Sequence, residues 1–300
     1  MDVRAYLDRI GYTGSTEPTL DTLRGMHRAH AYSVPFENLD IRRGRRIEVN
    51  EAVNFAKIVR ERRGGFCLEL TGTFARALRE LGFRVDVHGG RVVSDGHLSE
   101  PLSHMTLTVH LDEPWVADVG FGSRIIEPLR ANERGDQMVD GRKYVVANDG
   151  DHWFVTCGEP MSATGAGADV PAMYTFTRQP REFDEFHPVC DWLQTSPDSR
   201  FTHGDIVSLP RPNGRTTFAG GRLITLEDGI RTEREMAPDE EARVLAAEFA
   251  IRIAQDPLAR HRRHQLPSPR HGAALAPAPI CLVVICALRT LDSIVTRIVN

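Results

Sequence analysis

Residues 62 to 69 read Arg62-Arg63-Gly64-Gly65-Phe66-Cys67-Leu68-Glu69, and the helix that follows them is the reference point for the whole chain. Leu70, Phe74, Ala77, Leu78 and Leu81 recur at three- and four-residue spacing, which predicts one buried helical face. Cys67 then stands in the first turn, at the positive end of the helix dipole, where a thiolate is favoured over a thiol. The glycine pair before it lets another backbone or a ligand approach closely. Downstream lie His104, in Leu102-Ser103-His104-Met105, and Asp118, in Trp115-Val116-Ala117-Asp118-Val119-Gly120-Phe121-Gly122. A thiolate, an imidazole and a carboxylate that orients it make an activated nucleophile, so the three together predict acyl transfer through Cys67. No spacing rule by itself brings them into contact.

Working outward, Thr19 is placed to cap a helix carrying Leu20, Leu23, Met26, His27 and His30 on one side. A second helix is expected from Glu51 to about Arg60. Residues 1–84 therefore predict a helical domain around Cys67. From Val85 the period changes to two: Met105, Leu107 and Val109 alternate with Thr106, Thr108 and His110. Trp115 to Val119 predicts a further strand, and Tyr144–Val146 with Trp153–Val155 a meander. Tyr174 to Phe201 is rich in aromatics and turn formers. Arg222 to Leu226 predicts a strand, and Asp239 to Ile253 a helix after Pro238.

The tail differs in character. Arg260 to Pro279 is rich in Arg, His, Pro and Ala, as a linker would be. The uncharged run from Gly272 to Leu288 is broken by Pro277 and Pro279 and falls short of the ~18–20 apolar residues of a membrane span. No membrane association is expected.

Three hundred residues with 41% hydrophobic and 26% charged residues describe an ordinary globular chain of about two domains. A net charge of -4 argues against nucleic acid as a partner. The five cysteines are odd in number and scattered, with no zinc-ligand spacing, so neither a metal nor a disulfide framework is expected. The N-terminus lacks the basic start and apolar run of a signal peptide, which predicts the cytoplasm.

Four ordered motifs carry a resemblance. Arg63-Gly64-Gly65-Phe66-Cys67-Leu68-Glu69 is similar to the nucleophile motif of the arylamine N-acetyltransferases, and Val34-Pro35-Phe36-Glu37-Asn38-Leu39-Asp40 to that family's second signature. Asp118-Val119-Gly120-Phe121-Gly122 follows His104 at about the family's distance. Thr195-Ser196-Pro197, with Ser199 and Phe201, resembles a further block. The likeness covers residues 1 to about 258 and stops at Ala259. Within it, Thr71 stands near a position where many members carry Asn.

The resemblance implies an α/β (α+β) protein of cysteine-protease/transglutaminase-like architecture. Its parts would be a helical bundle (1–84) with Cys67, a β-barrel-like domain (85–190) with His104 and Asp118, and an interdomain segment with an α/β lid (191–258). A divergent tail (259–300) would follow. It further implies that acetyl-CoA donates an acetyl group to Cys67, that His104 takes the thiol proton, and that Asp118 orients His104. An arylamine or arylhydrazine would then collect the acetyl group in a ping-pong scheme, a reaction of xenobiotic metabolism. Phe36, Phe121 and Phe201 resemble the aromatics lining the acceptor pocket, and Ser103, Gly120 and Gly122 are the candidates for holding CoA. Arg63 and Glu37 are expected to form a buried structural pair, and Cys157 and Cys190 to be packing residues. Fold alone would leave open another Cys-His-Asp acyltransferase, a thiol hydrolase, or a catalytically impaired ligand-binding homologue.

Overall fold

A computed structural model describes residues 1–253 apart from 95–96, 123–124, 140, 161–170 and 238. The expected tail at 259–300 lies outside the described residues. Near the N-terminus, α1 (Val3–Ile10) precedes α2 (Leu20–Ser33), whose first turn is capped by the Thr19 hydroxyl accepting from the Thr22 N–H. A two-residue strand, β1 (Phe36–Glu37), and the short helix α3 (Leu39–Arg43) follow. The helix expected from Glu51 to Arg60 is α4 (Glu51–Phe55) continued by a wider π-turn, Ala56–Arg60. Lys57, Ile58 and Val59 of that turn are all buried. Helix α5 (Cys67–Glu80) begins at Cys67 and buries Leu70, Phe74, Ala77 and Leu78.

Nine strands between Arg84 and Thr177 form one antiparallel sheet: β2 (Arg84–Ser94), β3 (His97–Leu98), β4 (His104–His110), β5 (Pro114–Ala117), β6 (Leu129–Arg130), β7 (Gln137–Val139), β8 (Arg142–Asp149), β9 (His152–Pro160) and β10 (Pro171–Thr177). Their order is β6-β5-β4-β2-β10-β9-β8-β7, with β3 beside β2. The sheet curls into a nearly closed barrel. Its end strands are joined through a side chain: the Gln137 amide accepts from the Arg130 N–H at 2.8 Å and donates to the Arg130 carbonyl at 2.9 Å. Alternation in β4 is present, yet both faces are buried. Met105, Leu107 and Val109 join the core of the helices, while Thr106 and Thr108 turn into the barrel and bond to Tyr174 and His88.

The stretch read as aromatic and turn-rich contains two helices, α6 (His187–Thr195) and α7 (Arg200–His203). Residue 190, the expected boundary, falls inside α6. The last part is a five-stranded antiparallel sheet of order β1-β11-β12-β13-β14, made of β11 (Ile206–Arg211), β12 (Gly214–Ala219), β13 (Arg222–Glu227) and β14 (Ile230–Glu235). Its first strand comes from the helical segment: Phe36 pairs with Ser208 and Glu37 with Val207. Helix α8 (Glu241–Phe249) is shorter than the expected 239–253. It stops where Ala250 turns left-handed at φ 55°. By contacts, Met1–Arg252 forms one unit.

Candidate active site

The two sequence signatures are one structure. Gly65 forms a parallel bridge with Phe36, its carbonyl accepts from the Glu37 N–H at 2.8 Å, and its N–H donates to the Pro35 carbonyl at 3.3 Å. Gly64 is needed for this contact, since a Cβ there would stand 2.0 Å from the Pro35 oxygen. Asn38 then pins the next wall. Its side-chain amide donates to the carbonyls of Phe201 and Gly204, and its oxygen accepts from Ile206 N–H.

Beneath the loop that leads into Cys67 lies a buried charge cluster. Arg63 donates to Glu37 at 2.9 Å and to Asp40 at 2.8 Å, as the expected Arg63–Glu37 pair requires. Lys57 adds contacts to Glu69 at 2.8 Å and Asp40 at 2.9 Å. Burial works against the Lys57 charge, but the carboxylates of Glu69, Glu37 and Asp40 outweigh it and hold the ammonium above its ordinary range. Glu69 experiences the reverse: burial lifts its carboxyl above the usual value, with Lys57 countering. Its other oxygen accepts the Phe66 N–H at 3.0 Å, which caps helix α5. Arg9 reaches the same loop, donating to the carbonyls of Ile58, Ser33 and Arg63. Sequence reading missed Arg9, Lys57 and Glu69 in these roles, because charges are common along these helical stretches and nothing local marks which of them are buried.

Cys67, His104 and Asp118 come together and are almost sealed, at 4%, 2% and 0% exposure. Cys67 enters on α5, His104 opens β4, and Asp118 follows the last residue of β5 rather than lying within the strand. His104 Nε2 is 2.7 Å from Asp118 Oδ2, and the other carboxylate oxygen accepts the Gly120 N–H at 2.9 Å. The Cys67 thiol lies 3.4 Å from the Ser103 carbonyl, and its sulfur acts on the charge of the His104 imidazole. Burial disfavours the His104 cation, yet the Asp118 carboxylate and the Cys67 sulfur overcome it and raise the imidazole to about 10. The ring is clasped by aromatics: Tyr174 is 4.6 Å and Phe121 5.3 Å away, centre to centre. Tyr174's hydroxyl pairs with Thr106 at 3.0 Å and faces Asp118; burial, then that carboxylate, raises it well above its usual value.

The remaining predicted residues divide. Phe36 and Phe201 lie together at 6.2 Å, and Phe66, absent from the expected set, meets Phe201 edge-on at 6.0 Å. Phe121 packs on His104 at 5.3 Å. Ser103 is buried, its hydroxyl held by Ser99 at 2.6 Å. Gly120 is a packing position: a Cβ would meet Thr71 Oγ1 at 2.6 Å and Cys67 Cα at 2.9 Å. Gly122, at φ 56°, has nothing within 4 Å of that point. A cavity of about 460 Å³ opens elsewhere, beside Arg45, Arg46, Asp191 and Gln194, and touches none of these residues. Among the described residues no cluster of His, Cys, Asp or Glu could hold a metal ion, and no helix is long and apolar enough to cross a membrane. Cys190 is buried and Cys157's side chain is outside the described set.

The profile of the N-acetyltransferase family matches residues 19–258. An arylamine N-acetyltransferase of Gallus gallus, a pineal gland isozyme, is 32% identical over 264 residues, which cover 83% of this chain and 90% of that protein. The chain belongs to the arylamine N-acetyltransferase family. It is thus an acyltransferase, and solved members of the family share its fold. The arylamine N-acetyltransferase of Mycobacterium abscessus superposes with a TM-score of 0.78 at 26% identity, covering 89% of this chain and 96% of that one. That of Mycobacterium marinum, solved in complex with CoA, gives 0.75 at 28% identity, with 83% and 93% covered. The transglutaminase-like α/β architecture expected from the motifs is the one observed in this arylamine N-acetyltransferase.

Proposed function

We propose that this enzyme transfers the acetyl group of acetyl-CoA to arylamines or arylhydrazines through an acetyl-Cys67 thioester. The observation that carries the proposal is a buried Cys67 whose sulfur acts on an imidazole that is itself bonded at 2.7 Å to a buried carboxylate. With its imidazole raised to about 10, His104 is charged at neutral pH and can hold the proton lost by Cys67. The sulfur attacks the thioester carbonyl, and the C–S bond to CoA breaks as His104 returns the proton to the departing thiol. In the second half the amine attacks the acetyl carbonyl, gives a proton to His104, and expels the Cys67 sulfur. Asp118 fixes the ring and its charge in both halves. The Cys67 N–H, in the first turn where no intrahelical acceptor exists, serves as a donor to the oxyanion.

Phe36 and Phe201 supply the apolar, flat surface that an aromatic amine requires, the fully buried Phe66 packs edge-on against Phe201, and Phe121 with Tyr174 holds His104. Of the three candidates for contact with CoA, Gly122 has open space beside it, whereas Gly120 and the Ser103 hydroxyl are engaged within the protein. The M. marinum relative, solved with CoA, supports CoA as the donor's carrier here. Near-complete burial of the sulfur disfavours discharge to water and so favours transferase over hydrolase.

Intact mass after mixing the protein with acetyl-CoA and no amine tests this reading. One added acetyl group on the wild type, none on Cys67→Ala, and discharge on adding an arylamine are expected. Discharge to water at the same rate without amine would indicate a hydrolase.

A further inference from the structure

We infer that His27 is a positioning residue for the active-site carboxylate, its Nε2 accepting the main-chain N–H of Asp118 at 3.1 Å and so fixing the point from which that side chain reaches His104. The inference rests on the roles proposed above for Cys67, His104 and Asp118. Strand β5 makes its last ladder pair at Ala117, opposite Leu107. One residue further on, the Asp118 N–H lies beyond the ladder and is fully buried, where an unpaired donor is costly. Helix α2 supplies the missing acceptor. Both carboxylate oxygens are already committed, one to His104 and one to the Gly120 N–H, so His27 is what ties down the backbone they hang from.

An imidazole can accept at Nε2 only when that nitrogen carries no proton, so His27 must be neutral with its proton on Nδ1. Its surroundings enforce this. Burial brings the imidazole down to about 4, against opposing pulls from the Ile126 carbonyl, Asp118 and Glu127. Glu127 is itself paired with Arg28. From the same helix His30 faces it, and α5 presents only the edge of Phe74, at 5.6 Å. Nδ1 is buried with no hydrogen-bond partner, and the Ile126 carbonyl acts on the ring's charge. A carboxylate whose backbone drifts by about 1 Å delivers a misaligned imidazole, and such errors cost on the order of a hundredfold in rate.

Two measurements on the full-length enzyme test the inference. The first needs no mutation: in protein labelled with 15N histidine, His27 should be the Nδ1–H tautomer at pH 7. A charged ring, or one protonated on Nε2, would overturn the proposal. The second compares His27→Leu with His27→Gln, whose amide oxygen can still accept. Iodoacetamide alkylation of Cys67 against pH should place the His104 limb about one pH unit lower in His27→Leu, with acetylation by acetyl-CoA slowed about tenfold or more. His27→Gln should restore most of both. A folded His27→Leu protein with the wild-type profile and rate would refute the inference, and if that variant does not fold the tautomer decides. Failure of the wild type to be acetylated at Cys67 would instead sink the underlying reading, leaving the tautomer unaffected.

Discussion

Gly120 lies against Cys67 so closely that a Cβ on it would stand 2.9 Å from the Cys67 Cα and 3.0 Å from its carbonyl oxygen. The loop after Asp118 and the start of the nucleophile helix are therefore in main-chain contact. Gly120→Ala must push them apart, and with them the sulfur and the imidazole. Acetylation of Cys67 should slow by about 10- to 100-fold while circular dichroism stays native. Wild-type kinetics in a folded Gly120→Ala protein would mean that the contact yields without moving the site.

Arg63 holds two buried carboxylates, Glu37 and Asp40, with its guanidinium almost wholly enclosed. Arg63→Ala would take the guanidinium from both and leave Lys57, at 3.9 Å from Glu37 and 2.9 Å from Asp40, to serve them, at a cost of about 3–5 kcal/mol. Urea unfolding should show that loss, and the fraction that remains folded should still acetylate Cys67. An inactive variant of normal stability would assign Arg63 to the chemistry instead.

Lys57 separates stability from charge in the same cluster. Lys57→Met leaves Glu69 and Asp40 without their ammonium and should destabilise by about 3 kcal/mol or more. Adding Glu69→Gln removes one of the stranded charges and keeps an oxygen for the Phe66 N–H. The double variant should recover part of the loss in a double-mutant cycle. Strictly additive losses would show that Lys57 and Glu69 are not energetically coupled.

Much of this site was legible beforehand because its signals are local. The Gly64-Gly65 pair, the helical spacing after Cys67 and the alternation after His104 each lie within a dozen residues, so pattern alone located the elements. What pattern could not supply was which elements meet. Phe36 and Glu37 pair with β11, some 170 residues away in sequence, and nothing in their neighbourhood announces a strand. Helix α6 was obscured by the aromatics and Pro188 around it, although proline is well tolerated in a first helical turn. His27 sat in plain view on the apolar face of α2. A buried polar group must find a partner, and only the fold shows that the partner of His27 is the Asp118 N–H.

Asp118→Asn should keep the fold while removing the charge that sustains the His104 cation. Acetylation of Cys67 should fall by about four orders of magnitude. The effect on stability has a definite sign. In the wild type His104 rises from an ordinary 6.5 to about 10, so its contribution is fully present below pH 6.5 and disappears as the pH climbs through 10. The stability gap between wild type and Asp118→Asn should therefore be widest below pH 6.5 and narrow steadily as the pH rises from there through 10. A gap independent of pH would mean that His104 is not the group Asp118 serves.

Acid should weaken the protein earlier than its carboxylates alone would dictate. His27 is held down from 6.5 to about 4 by burial, and His30, beside it on α2, is lowered well below its ordinary value for the same reason. A group with a depressed folded value that is neutral when deprotonated binds its proton more readily in the unfolded chain. Stability must then rise with pH through this window and fall as the pH drops from about 6.5 towards 4. His27 alone accounts for about 3 kcal/mol across that interval. Urea midpoints taken from pH 7 to pH 4 should fall accordingly, and the slope should flatten in His27→Gln, which has nothing to protonate there. An equally steep slope in that variant would place the acid sensitivity in other groups and remove His27 from the account.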